Sequence, residues 1–78
     1  MDYDQDKVDE AVLALLHLTT VREKVGAYAW KNHHWDALDR LHEKGYLSNP
    51  KSKAKSVVLS DEGLRRSEEL FRKFFGKG

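Results

Sequence analysis

Three lysines recur at every second position, Lys51, Lys53 and Lys55, with Ser52 and Ala54 between them. In an extended backbone that spacing sends all three side chains to one side, where they suit a row of phosphates. It equally suits an edge strand kept soluble and unpaired by its charge, so both readings stand. His33, His34 and His42 come next, because imidazole binds zinc. Successive side chains on a helix diverge by about 100°, so His33 and His34 do not share an ion. His34 and His42 are too far apart for one ion without a second element. Surface or half-buried histidines are the plainer reading, and no metal site is expected. Asp36, Asp39 and Glu43 fall at i, i+3 and i, i+4 spacings, a solvated charged face in which Asp36 and Arg40 pair for about 0.2–0.5 kcal/mol. A catalytic carboxylate pair needs a cleft and perturbed acidity, and the sequence signals neither. It contains no nucleophile elbow, phosphate loop or metal motif. The expectation is no catalytic residue, no cofactor and no enzyme.

These residues must be positioned by a few elements. A first helix is predicted from about Asp6 to Thr19, capped by Asp4 or Asp6, with Val8, Ala11, Val12, Leu15, Leu16 and Leu18 on one broad face and Leu13 and His17 outside it. Residues 20–33 are not legible: Ala27-Tyr28-Ala29-Trp30-Lys31 fits a short strand as well as a helix. From His33 or His34 a helix with Trp35, Leu38, Leu41 and His42 at 3–4 spacing is predicted, with Asn32 as its N-cap and Gly45 as its left-handed stop. Tyr46-Leu47 begins a strand that Asn49-Pro50 breaks, and Ser56-Val57-Val58-Leu59 returns as a second. Ser60 caps a last helix whose apolar face is Leu64, Ser67, Leu70, Phe71, Phe74 and Phe75. Trp30 and Trp35 are expected to anchor the helices to the sheet; an exposed Trp30 would instead mark a partner surface.

Seventy-eight residues make one domain, 1–78, with frayed ends at about 1–4 and 76–78. A chain of this size has a thin core. The absence of cysteine excludes disulfides and thiolate metal sites. No stretch approaches the roughly 18 apolar residues of a membrane span, and the acidic N-terminus is unlike a secretory signal, so a soluble cytoplasmic protein is expected. The net charge of +1 conceals an asymmetry. Asp2, Asp4, Asp6, Asp9 and Glu10 crowd the first twenty positions against Lys7, whereas Lys44, Lys51, Lys53 and Lys55 outweigh Glu43 in residues 41–60.

The run Leu38-Asp39-Arg40-Leu41-His42-Glu43-Lys44-Gly45-Tyr46-Leu47 resembles the end of the recognition helix in MarR-type and PadR-type regulators. Val58-Leu59-Ser60-Asp61-Glu62-Gly63 is similar to the strand and helix start that follow the wing in those proteins. The resemblance covers about half the chain and implies an α+β fold: a small winged helix-turn-helix-like domain of three main helices and a two- or three-stranded β-wing. The whole chain also resembles a family of short bacterial proteins of unknown function, through Ala29-Trp30-Lys31, Trp35-Asp36-Ala37-Leu38 and Lys53-Ala54-Lys55-Ser56. The winged-helix resemblance implies double-stranded DNA as partner, with Lys31, Asn32, His33, His34 and Arg40 facing the major groove and Lys51, Lys53 and Lys55 meeting phosphates. The carboxylates of Asp36, Asp39 and Glu43 on the same helix repel phosphates. The alternative is a protein-interaction module, an adaptor or inhibitor, on the same scaffold without DNA binding. A homodimer through the first and last helices is a further expectation.

Overall fold

The first helix, α1 (Gln5–Thr19), starts where the Asp4 carboxylate accepts from the amides of Asp6 and Lys7 at 3.0 and 3.2 Å. A hairpin follows, β1 (Val21–Glu23) against β2 (Gly26–Trp30), with Val21 opposite Tyr28. After it come α2 (Trp35–Glu43), β3 (Ser56–Leu59) and α3 (Asp61–Phe75). The structure, a computed structural model, describes residues 1–24, 26–31 and 34–77. Three helices and one antiparallel sheet of order β1-β2-β3 give the expected α+β class. Among the described residues no helix lies between α1 and α2; that stretch is the hairpin.

The strand pairing differs from expectation. The main partner of β3 is β2, from Ala27 opposite Leu59 to Trp30 opposite Ser56. Tyr46-Leu47 contributes only the bridge between Leu47 and Leu59, flanked by Ser48 N–H donating to the Val58 carbonyl (2.8 Å) and Ser60 N–H to the Tyr46 carbonyl (3.0 Å). Beyond Ser48 the chain turns, as Asn49 Oδ1 accepts from the Lys51 amide at 2.9 Å and Pro50 is buried. Residues 51–55 are turns and bends. Strand alternation therefore does not align Lys51, Lys53 and Lys55.

The link from α2 to α3 follows the local chemistry closely. Gly45 has φ 82°, and the amides of Gly45 and Tyr46 donate to the carbonyls of His42 and Leu41, the paired bonds of a Schellman stop. The Ser60 hydroxyl donates to the Gly45 carbonyl at 2.6 Å and accepts from the Gly63 amide at 3.0 Å, so one side chain caps α3 and ties it to the end of α2. At Gly63 a Cβ would collide with the Tyr46 backbone, so glycine is what lets α3 begin this close to the chain. The N-cap of α2 is His34, which makes no side-chain capping bond; Asn32, expected there, lies outside the described residues.

The core is built from Leu13, Leu16, Leu38, Leu41, Val57 and Leu70, with Ala14, Ala29 and Ala37 at full burial. Two expectations about it need correction. On α1 the buried positions are Asp9, Val12, Leu13, Ala14 and Leu16, whereas Leu15 and Leu18 are exposed. Apolar residues surround this helix, so the wheel alone does not choose a face. The rotation is fixed by Asp9, whose carboxylate lies inside against Arg40. On β2 the inward residues are Ala27 and Ala29, which leaves the alternate positions Tyr28 and Trp30 on the open face of the sheet. Trp35 is also outside. Neither tryptophan is a core anchor.

Candidate functional site

The open sheet face carries Val21, Tyr28, Val58 and Trp30, by the register of the three strands. Two outward positions on one strand stand about 7 Å apart, so Tyr28 and Trp30 form successive aromatic steps. Trp30 is 56% and Trp35 55% exposed, unusual for the two largest side chains of so small a domain. Both line a shallow concavity of about 440 Å³ with Lys31, Ser52, Lys53, Ala54 and Lys55. The first turn of α2 and the 51–55 loop thus flank one end of β2.

Lys31 organises this corner. Its ammonium donates to the carbonyls of Pro50 (2.6 Å) and Ser52 (2.8 Å), and it lies 5.9 Å from the centre of the Trp35 ring. Its amide also donates to the Lys55 carbonyl at 3.0 Å. Lys31 is therefore an anchor that gives the loop its shape and puts positive charge beneath it. Lys51, Lys53 and Lys55 are exposed, and among the described residues no ion pair engages them. The concavity gathers Lys31, Lys53 and Lys55, while Lys51 is not among its lining residues.

Arg40 does not join them. Five residues on from Trp35, it points about 140° away round α2. There its guanidinium grips the Asp9 carboxylate, Nε to Oδ2 and Nη2 to Oδ1 both at 2.8 Å. Asp9 is fully buried and also has Lys44 at 3.7 Å. The hydrogen bonds to Asp9 raise the guanidinium above its ordinary pKa, against the opposing effect of burial. Arg40 is thus committed to the α1–α2 contact, and its assignment to a DNA groove is corrected on that ground. His34 stands exposed at the N-cap of α2, and Asn32 and His33 lie outside the described residues. His42 is exposed, and its Nδ1 lies 2.8 Å from the Leu47 carbonyl, which accepts and so fixes the proton on that nitrogen.

Tyr28, Trp30 and Trp35 are the residues that sequence reasoning missed as surface groups. The signal was present in the alternation of alanine with aromatic residues from Ala27 to Trp30. Chemically, the arrangement offers π faces beside exposed ammonium groups: it can stack planar rings and neutralise anions. No helix among the described residues is long and apolar enough to cross a membrane.

Comparison with known proteins places the chain in a family. Residues 4–77 match the family described as a domain of unknown function (DUF6429). The chain is 57% identical over 75 residues to the uncharacterized protein y4hR of Sinorhizobium fredii (strain NBRC 101917 / NGR234), covering 96% of this chain and 97% of that protein. No solved structure matches. The chain belongs to the DUF6429 family, a small bacterial family of unknown function.

Proposed function

We propose that this member of the DUF6429 family is a binding protein rather than a catalyst, and that it holds single-stranded nucleic acid on the open face of its sheet. Tyr28, Trp30 and Trp35 would stack bases, and Lys51, Lys53 and Lys55 would meet the backbone phosphates. The observation that carries the reading is the exposure of both tryptophans beside lysines that, among the described residues, no ion pair engages. The order of α2, the Leu47 bridge and β3 supports a winged-helix derivation, with a hairpin in place of the helix that would precede α2. Groove reading of duplex DNA by α2 is less well supported. Arg40 is held by Asp9, and the exposed surface of the helix includes Asp36 and Glu43.

Trp30 and Trp35 are the chain's two tryptophans, so intrinsic fluorescence reports directly on the site. Titration with a short single-stranded oligonucleotide should quench it, more strongly than the matching duplex. Three lysine contacts should give a slope of log K against log salt of about −2. Absence of quenching at low ionic strength, or binding indifferent to salt, would overturn the reading; tighter binding of duplex would return it to groove docking. A second reading, the protein-interaction module, is favoured by Val21 and Val58, exposed apolar residues flanking Tyr28 on the same face. Retention of a partner from nuclease-treated lysate, lost on Val58→Lys, would support it.

A further inference from the structure

The outward side of α1 carries an apolar stripe that the fold covers only in part: Val8 packs at the edge of the core, while Leu15 and Leu18 stay exposed. Val8, Ala11, Leu15 and Leu18 follow one another at spacings of three, four and three, the a/d seam of a helix that packs on another helix. Leu18 is 66% exposed and Leu15 38%. The end of α3 extends this surface. Gly63, Ser67, Leu70 and Phe74 form one stripe along α3; the first three are buried, whereas Phe74 and, beside it, Phe75 remain exposed. Phe74 and Phe75 meet Ala11, Lys7, Glu10 and Lys73 around a cleft of about 530 Å³, which makes the helix stripe and the aromatic tail continuous.

We infer that this face docks a second copy of the chain through antiparallel pairing of the two α1 helices. A monomer of 9.0 kDa exposes about 4,900 Å² by the usual scaling, whereas this chain exposes 5588 Å², so its surface is larger than its size requires. The stripe is also self-complementary. A two-fold axis between Ala11 and Leu15 sets Ala11 against Leu15 of the second copy and Val8 against its Leu18, small against large in every layer. Parallel pairing would set small against small and leave gaps. The antiparallel direction carries the Phe74–Phe75 end of one copy over Leu18 of the other. It also brings Lys7 and Lys73 to the carbonyl-rich end of the opposite α1, where positive charge is favoured.

The test is molar mass by light scattering or sedimentation on nucleic-acid-free protein, from low to several hundred micromolar. The expected result is a rise from 9.0 kDa toward twice that value. Leu18→Glu should weaken association at least about tenfold, a loss of roughly 1.4 kcal/mol. It should leave the circular dichroism of the monomer unchanged and lower its melting profile only slightly, because Leu18 is 66% exposed and the new carboxylate merely opposes the C-terminal end of the helix dipole. A wild type that stays monomeric throughout, or a Leu18→Glu variant that associates like the wild type, would overturn the proposal. The chain has no cysteine, so direction is testable by mixing Val8→Cys and Leu18→Cys chains under oxidation. Mixed disulfides should dominate; a preference for either like pair would refute the antiparallel register.

Discussion

Replacing Arg40 by methionine leaves the apolar volume of the side chain but strands the Asp9 carboxylate. That carboxylate is 1% exposed, while the Arg40 side chain that neutralises it is 23% exposed. The two single substitutions should therefore be unequal. Arg40→Met abandons a buried charge, and breaking a buried pair in that way costs about 3–5 kcal/mol. Lys44, 3.7 Å from Asp9, can move in and should hold the loss near the lower end of that range. Asp9→Asn strands a guanidinium that reaches solvent by a small adjustment, and should cost about 2 kcal/mol. A domain of this size has only about 4–12 kcal/mol in total, so Arg40→Met should lower the melting temperature by about 12–24 °C. Urea unfolding followed by circular dichroism measures both variants, and the double variant Asp9→Leu/Arg40→Met should recover much of the loss. The folded guanidinium has a raised pKa. Its contribution is therefore fully present below the unfolded value and lost only as pH rises through the folded one, so this guanidinium adds no slope near neutrality. A larger loss for Asp9→Asn than for Arg40→Met, or losses under about 1 kcal/mol for both, would refute the reasoning.

Gly63→Ala should destabilise by about 1–3 kcal/mol, seen in the same urea transition, because its methyl group would strike the Tyr46 backbone. Ser60→Ala removes the α3 cap and the bond to the Gly45 carbonyl, and should cost about 1–2 kcal/mol. Lys31→Met should leave the melting temperature nearly unchanged but speed amide hydrogen exchange in residues 51–55, since its ammonium holds the Pro50 and Ser52 carbonyls. Trp30→Ala should weaken oligonucleotide binding by about 1–3 kcal/mol with little change in stability, measured by quenching of the remaining Trp35.

Elements set by local chemistry were legible from the sequence. Gly45 and Ser60 announced a helix stop and a helix start, because a left-handed turn and a hydroxyl cap depend on neighbouring backbone alone. Orientation was another matter. The inward face of α1 depends on Asp9 meeting Arg40, thirty-one positions away, and nothing local marks that pair. The hairpin on residues 21–30 was hidden for a related reason. Size suggested that Trp30 belonged inside, but β2 turns only Ala27 and Ala29 toward the core. The loop lysines were found as charges and misjudged as a row, because Asn49 and Pro50 fold the segment into turns.

The alanine-inward strand has a consequence for how such a protein changes over time. Large residues in most small domains are part of the support, and altering them risks the fold. Here Tyr28 and Trp30, which would meet the proposed ligand, project from a strand whose structural duty is discharged by two methyl groups, Ala27 and Ala29. Substitutions at Tyr28, Trp30 and Trp35 can therefore be sampled at little risk to folding. That face is free to change its chemistry while Ala27, Ala29, Gly45 and Gly63 hold the frame in place.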